Sequence, residues 1–190
     1  MVETIVGHRD GKVSCAHRKA AIIGAGGRRI HAPWDDDSWC WWALNEIGQP
    51  RFDRHFELHP MAVQSEQDFA ALRIMPVPCY VLGHDDARGQ VVEDRRLRAP
   101  EGKLPTRIFG GVANAVAYPL ERVLAVTGGR RYFTSTFAFQ LALALADGFE
   151  EIGVWGVELY DGAARERTAE LAGLEYWLGV GTGRGVKLTI

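Results

Sequence analysis

Several short segments of this 190-residue sequence combine residue types that bind a phosphate or move a proton. The first is KAAIIGAGGRR at residues 19–29, an apolar run that ends in a glycine cluster and two arginines. Glycine lets backbone amides approach a phosphate, and arginine pairs with its charge. We therefore predict a phosphate-binding turn at Gly24, Gly26, Gly27 and Arg28. A tight turn with solvated arginines is the alternative, because Arg29 occupies the third glycine position of the GxGxxG fingerprint.

A second phosphate-binding candidate is TSTF, in which Thr134, Ser135 and Thr136 precede an apolar helical pattern. Hydroxyl groups and free amides at a helix N-terminus attract anions, an effect of about 0.3 to 2 kcal/mol. An ordinary helix cap is the alternative for these three residues.

Four polar side chains lie at the ends of predicted strands or shortly after them. Asn45 can donate and accept hydrogen bonds, which suits a ribose or a base edge, and a turn asparagine is the alternative. His59 is a candidate general base, since imidazole exchanges protons near neutral pH, or else a hydrogen-bonded histidine at a strand end. Glu158 can hold a sugar hydroxyl or accept a proton, and Tyr160 can stabilise a leaving phosphate.

The elements that would position these residues alternate along the chain. In the clearest helix, Phe137, Leu141 and Leu145 recur at four-residue spacing, and Gly148 follows as a stop signal. We predict strands at residues 20–23, 39–45, 55–59, 78–83, 151–157 and 186–190, and helices at 64–73, 118–126, about 135–146 and 165–178. This order indicates an α/β protein with a mostly parallel sheet and helices on both faces. Ligands bind beyond the carboxyl ends of the strands in such sheets.

The rest of the chain is interpreted from composition. We expect one domain over residues 1–190, with residues 1–18 as an extension or hairpin that turns at Asp10 and Gly11. Residues 84–112 are charged and rich in Pro and Gly, and we expect a long loop there, either an active-site lid or a disordered segment.

Charge and hydropathy narrow the function classes. The formal charge is −2 without long single-sign runs, which argues against a nucleic-acid arm or a membrane patch. No stretch approaches the roughly 18 to 20 apolar residues that span a bilayer, so we expect a cytoplasmic protein. The three cysteines are far apart and form no CxxC pair, so Cys40 and Cys79 are expected to be buried thiols.

A family of small proteins encoded in bacteriophage and prophage genomes resembles this chain over most of residues 20–190. The resemblance lies in GAGG, WWALN, FELHP, YFTSTFAFQLALALADGFEEIGVWGVELY and EYWLGVGTGRGVKLTI. The stretch 134–160 is also similar, more distantly, to bacterial sialyltransferases and to an archaeal 6-hydroxymethylpterin diphosphokinase-like domain. These resemblances imply a Rossmann-like three-layer fold that binds a nucleotide. The positions that match the sialyltransferase nucleotide site are Gly24, Gly26, Asn45, Ser135, Thr136, Gly156, Glu158 and Tyr160.

The chain departs from the sialyltransferase pattern in three places. Gly27 and Arg28 replace the Pro-Ser of the glycine turn, and Glu158 replaces an aspartate. No histidine follows His84, so the histidine base of those enzymes has no counterpart. The resemblance implies a transferase that binds a nucleotide or nucleotide-sugar donor, with glycosyl transfer to an acceptor hydroxyl as the leading hypothesis. His59, Glu158 and Tyr160 are then the catalytic candidates.

Two other functions remain open from the sequence. One is a nucleotide-binding protein without turnover, acting as a sensor or a sink. The other is diphosphokinase-like phosphoryl transfer, which requires Mg²⁺, an ion that no residue pattern here indicates. If the chain is phage-encoded, the acceptor is expected to be a DNA base or a glycan, the location the host cytoplasm, and a homo-oligomer is compatible with the sequence.

Overall fold

The structure is a computed structural model that describes residues 17–45, 49–59, 64–85, 91–93, 112–157 and 164–190. The predicted hairpin turn at Asp10 and Gly11, both Glu158 and Tyr160, and most of residues 84–112 lie outside the described residues. Within the described part of the chain, no helix combines the length and apolarity needed to cross a membrane.

The described residues form a seven-stranded parallel sheet and a short two-stranded sheet. The strands are β1 Lys19–Ile23, β2 Trp39–Leu44, β3 Arg54–Glu57, β4 Cys79–Val81, β5 Gly83–Asp85, β6 Val91–Glu93, β7 Ala115–Ala117, β8 Glu151–Trp155 and β9 Lys187–Thr189. The helices are a 3₁₀ helix at Gly27–His31, α1 Glu66–Leu72, α2 Leu120–Thr127, α3 Thr136–Asp147 and α4 Ala164–Gly183. The large sheet has the order β7-β4-β3-β2-β1-β8-β9, and β5 pairs antiparallel with β6.

The central strands are apolar because both of their faces are covered. β2, with the sequence WCWWAL, is buried at every position, and β1 is buried from Ala20 onward. Continuous apolar runs of this kind are typical of parallel strands between two helical layers. One face packs on α2, α3 and α4, and the other on α1 and the 3₁₀ helix region. The predicted α/β class with a Rossmann-like parallel sheet is therefore confirmed.

In the described part of the chain, the path moves from one edge of the large sheet to the far side of β1 between β7 and β8. After β7 at one edge, it passes through α2 and α3 and re-enters as β8 on the far side of β1. The strand order thus reverses between β1 and β8, and such a switch point opens a crevice at the carboxyl ends of the strands. The crossover brings the N-terminus of α3 to that same edge.

Helix α3 has the boundaries that the sequence predicts. Ser135 caps it, since its hydroxyl accepts from the amide of Ala138, and Gly148 ends it with φ 80°. Leu141 and Leu145 are buried in the core beneath the sheet, and Phe137 packs against that core while partly exposed. Each buried leucine contributes about 1.5 to 3 kcal/mol, which fixes the face that meets the sheet.

Tryptophan side chains pack on both faces of the sheet. Trp34 stacks on Trp41 with ring centroids 4.6 Å apart and planes at 15°. On the opposite face Trp42 stacks on Phe56 at 5.2 Å. Trp41 and Trp42 are fully buried core residues, and Trp34 is partly buried against the core.

Three segments differ from the sequence-based expectation. Residues 115–117 form strand β7, where no strand was predicted, and they pair with β4. The segment 84–112, expected as a loop, contains part of the β5–β6 hairpin. The last helix continues to Gly183 rather than ending near residue 178. Strand β7 depends on pairing with the distant β4, and the end of α4 packs on other elements, which a local pattern does not encode. The β5–β6 hairpin is local, and the charged composition of the segment concealed it.

A buried ion-pair cluster closes the amino end of β3. Arg54 and Arg122 each donate from Nη1 to one oxygen of Asp147, the last residue of α3, at 2.6 Å. The Arg54 guanidinium also lies over the Trp42 ring, 4.8 Å from its centroid. The cluster ties the end of α3 to the sheet.

Candidate functional site

A cavity of about 340 Å³ opens at the carboxyl edge of the sheet, beside the N-terminus of α3. Its volume falls in the range of small-molecule sites, roughly 300 to 1,000 Å³. The lining residues come from β2, the end of β3, the α3 N-terminus and α4, and they are Leu44, Asn45, His59, Phe133, Thr134, Ser135, Thr136, Phe137 and Glu170. The structure therefore brings together Asn45, His59 and residues 134–136, which the sequence marks as separate candidates.

Asn45 ends β2 in a left-handed conformation. Its φ is 48°, and its amide donates to the carbonyl of Phe56 at 3.3 Å. Asparagine tolerates this conformation better than most residues with a Cβ. Its side-chain oxygen Oδ1 is buried without a hydrogen-bond partner. An unpartnered acceptor on a cavity wall can receive a hydrogen bond from a ligand hydroxyl or amine.

The α3 N-terminus supplies the donor side of the cavity. The Ser135 hydroxyl is used as the cap, which satisfies one of the first-turn amides. The first amides of a helix have no partner within the helix, and their dipoles favour an anion. Thr134 Oγ1 is buried without a partner and faces α4, where a Cβ on Gly173 would stand only 1.8 Å from it. Gly173 thus allows α4 to close against this segment.

His59 and Glu57 form a hydrogen-bonded pair at the end of β3. Oε1 of Glu57 accepts from the backbone amide of His59 at 3.1 Å and lies 2.9 Å from its Nδ1. The Glu57 side chain is 3% exposed, and the His59 side chain is 38% exposed. A carboxylate that holds one ring nitrogen leaves the other nitrogen for proton transfer. The pair is thus suited to general base chemistry.

An aromatic stack supports the cavity from behind. Phe133, which lines the cavity, stacks on Phe139 at 4.4 Å and on Trp177 at 5.5 Å. The Trp177 indole donates to the carbonyl of Tyr132 at 2.8 Å, which ties α4 to the segment before α3. The cavity wall is therefore anchored in the core.

The glycine turn after β1 does not line this cavity. The amide of Gly24 donates to the Trp155 carbonyl and that of Gly26 to the Gly156 carbonyl, both at 2.8 Å. A Cβ on Gly24 would lie 2.3 Å from the Gly156 oxygen, so close backbone approach requires glycine here. Gly27 begins the 3₁₀ helix and Arg28 is exposed. Phosphate binding by these residues stays a prediction.

The turn and the cavity are neighbours across one ring. Phe137 lines the cavity, and its Cζ lies 3.0 Å from the position of a Cβ on Gly24. The Phe137 ring therefore lies between the cavity and the glycine turn.

Sequence reasoning missed two polar residues at this edge. Glu170 of α4 lines the cavity. Gln49 donates from Nε2 to the Ile23 carbonyl at 3.3 Å, and its Oε1 is buried without a partner. Neither follows a predicted strand end, so the rule that selected Asn45 does not find them. Arg29, the second arginine of the predicted phosphate-binding turn, carries a buried Nη1 without a partner.

No cation site emerges from the described residues. Within the ranges that the structure describes, no three His, Cys, Asp or Glu side chains are placed to hold a metal ion. The proposed roles of Glu158 and Tyr160 concern residues outside that part of the chain.

Comparisons with known proteins relate this fold to sialyltransferases. No protein-family model and no curated protein matches the sequence. Among solved structures, the sialyltransferase CST-II, in complex with a trisaccharide acceptor and CMP, is similar at TM-score 0.51 and 13% identity, over 90% of this chain and 79% of that one. The monofunctional α-2,3-sialyltransferase Cst-I from Campylobacter jejuni is similar at TM-score 0.54 and 12% identity, over 93% and 76%.

A further solved structure is that of the sialyltransferase CstII from Campylobacter jejuni in complex with the substrate analogue CMP-3FNeuAc, at TM-score 0.51 and 12% identity, over 90% of this chain and 78% of that one. At such low identity the likeness concerns the fold. The chain shares the α/β architecture of these sialyltransferases.

Proposed function

We propose that the protein is a glycosyltransferase that takes a nucleotide-sugar donor into the cavity at the carboxyl edge of the sheet. The observation that carries the proposal is the convergence of Asn45, His59 and residues 134–136 on one cavity. The fold likeness supports it, because crystal structures of the similar sialyltransferases contain CMP or a CMP-sugar analogue.

Each group has a role that its chemistry suits. The α3 N-terminus faces the donor phosphate, and the unpartnered Oδ1 of Asn45 accepts from a ribose hydroxyl or a base amine. His59 accepts the proton of the acceptor hydroxyl as its oxygen bonds to the anomeric carbon of the sugar. The bond from that carbon to the phosphate oxygen breaks, and the nucleotide leaves with the electron pair.

The remaining predicted residues extend this site. Gly24, Gly26, Gly27 and Arg28 are assigned to the far end of the donor, beyond the Phe137 ring. Glu158 and Tyr160 follow β8 in the chain, and we assign them to the leaving phosphate. The acceptor class is a hydroxyl-bearing molecule, for which a glycan and a modified DNA base are the two candidates.

Binding is tested by calorimetry with CMP, UDP, GDP and their sugar conjugates. A ligand at 100 times its Kd stabilises a protein by about 2.7 kcal/mol, so a thermal-shift screen selects the base first. Stronger binding of a sugar conjugate than of its parent nucleotide is expected. Absence of binding by every nucleotide would overturn the proposal.

Turnover is tested with the donor that binds. We expect His59→Ala to keep donor affinity within about twofold and to lose turnover by about 10²-fold or more, since positioned bases contribute 10² to 10⁴. His17→Ala is the matched control, because His17 is an exposed histidine before β1, at the opposite end of the sheet. Equal turnover in wild type and His59→Ala would exclude His59 as the base.

One observation favours a second candidate, a nucleotide-binding protein without turnover. No histidine follows His84, whereas the resembling sialyltransferases place their base late in the chain. This candidate predicts equal affinity for a nucleotide and its sugar conjugate, and an intact donor after prolonged incubation with possible acceptors.

A further inference from the structure

Resting on the proposed function, we propose that Glu57 is the positioning residue of His59. Its carboxylate holds the proton of the neutral imidazole on Nδ1 and leaves Nε2 as the atom that accepts a proton from substrate. Glu57 itself does not line the cavity, so it acts through His59.

The hydrogen bonds determine which ring nitrogen carries the proton. Oε1 of Glu57 is within hydrogen-bond distance of both the His59 amide and its Nδ1, at 3.1 and 2.9 Å. Oε1 already accepts from the backbone amide of His59, so the ring nitrogen that contacts the same oxygen is assigned as a donor. In the neutral ring Nε2 then carries a lone pair. Two contacts to one oxygen also fix the backbone and the ring of His59 relative to β3.

Two groups near Glu57 are neutral and therefore do not pair with its carboxylate, which increases the importance of its contact with His59. His55 and Glu57 lie on the same face of β3, and Cys79 of β4 is paired with His55. Burial lowers the pKa of His55 to about 4, and burial raises the pKa of the Cys79 thiol well above its ordinary range. Both groups are therefore neutral near pH 7 and supply no countercharge.

Of the ion pairs formed among the described residues, the one that Glu57 makes is with His59. A buried carboxylate is costly unless it is paired and hydrogen-bonded. The partner of Glu57 is His59, which lines the cavity, whereas a purely structural partner would be buried in the core. Among the described residues that line the cavity, Glu170 of α4 is the one acidic side chain.

The test reads the tautomer of His59 directly. Long-range ¹H–¹⁵N correlation spectra of the imidazoles, recorded where the rings are neutral, distinguish a proton on Nδ1 from one on Nε2, and His59→Ala assigns the signal. We expect Nδ1–H in the wild type. In Glu57→Gln we expect the ratio of tautomers to move toward Nε2–H by at least about tenfold, since a hydrogen bond to a charged group contributes about 1.5 to 3 kcal/mol.

Two results would overturn the proposal. One is a wild-type ring with its proton on Nε2, which needs no variant and no folded mutant. The other is an unchanged tautomer ratio in Glu57→Gln. Glu150→Gln is the matched control, because Glu150 is an exposed carboxylate paired with Arg18 at the amino edge.

Kinetics separates this proposal from the proposed function. With a donor that turns over, we expect Glu57→Gln to lower kcat by about 10²-fold or more while the donor KM stays within about twofold. Loss of donor affinity with unchanged kcat would assign Glu57 a structural role instead. If no nucleotide binds, the glycosyltransferase proposal fails, and the tautomer measurement still decides the role of Glu57.

Discussion

Strand β3 has a carboxylate ion pair at each end, and the two pairs are built differently. At the amino end, the two oxygens of Asp147 each accept from one arginine, and the Asp147 and Arg54 side chains are 7% and 2% exposed. At the carboxyl end, one oxygen of Glu57 takes both contacts from His59, whose ring reaches the cavity. The first pair completes a core, and the second orients a group toward a ligand.

Replacing Asp147 is expected to change the stability of the protein more than any other substitution considered below. Asp147→Ala leaves Arg54 buried without its carboxylate, and breaking a buried pair costs about 3 to 5 kcal/mol. Urea unfolding measures the loss. Glu150→Ala is the control at an exposed pair, where about 0 to 1 kcal/mol is expected. A loss below about 1 kcal/mol in Asp147→Ala would remove the distinction between the two ends.

A second prediction compares two parts of the carboxyl edge of the sheet. The turn at Gly24 is closed by backbone hydrogen bonds, whereas the cavity is open. Gly24→Ala would place a Cβ against the Gly156 carbonyl, and such overpacking costs about 1 to 3 kcal/mol. Gly179→Ala in α4 has open space and should gain up to about 1 kcal/mol. A nucleotide-free protein that tolerates Gly24→Ala would contradict the packing role.

The pH dependence of the free energy of unfolding tests whether His55, which lies on the same strand face as Glu57, is neutral in the folded protein. Burial lowers the pKa of His55 from 6.5 to about 4, so the unfolded chain binds the proton first as pH falls. Stability from this group is complete above pH 6.5 and is lost between 6.5 and about 4. Between about pH 7.5 and about pH 5.5 the loss is about 1.3 kcal/mol.

His55→Leu isolates this contribution. The variant changes absolute stability, yet its stability should fall less steeply over the same pH range than that of the wild type. Urea unfolding at the two pH values gives both slopes. Equal slopes would show that His55 is not the responsible group.

Asn45 is expected to give the smallest change in stability and a clear change in binding. Asn45→Gly relieves the positive φ, so stability should stay equal or rise by up to about 1 kcal/mol. The unpartnered oxygen is lost, so affinity for the nucleotide found by calorimetry should fall. A fall in stability with unchanged affinity would instead make Asn45 a structural turn residue.

The sequence predicts the layers of the fold well where the signal is local. The cap at Ser135, the stop at Gly148 and the apolar runs of β1 and β2 are all found in the structure. Each depends on residues within one helix or strand. Strand β7 is missed because its sequence AVA carries no alternation, and its pairing with β4 is a long-range contact.

The candidate site is predictable only in part, for a related reason. The rule of carboxyl strand ends finds Asn45 and His59, since both follow buried strands. It also selects the glycine turn, in which the amides of Gly24 and Gly26 are bonded to carbonyls at and just after the end of β8. Glu170 comes from the middle of α4, and only the packing of that helix brings it to the cavity.

The stacked pair Trp34 and Trp41 gives the molecule an optical reporter of one sheet face. Indole rings at 4.6 Å couple their electronic transitions, so their circular dichroism is lost when β2 separates from the 3₁₀ helix region. Trp177 stacks on Phe133 on the other face, and its emission senses the wall of the cavity. Because the chain has six tryptophans, the emission of Trp177 is read as the difference between the wild type and Trp177→Phe. Dichroism then follows one face of the sheet, and this difference emission follows the other, through unfolding or on ligand binding.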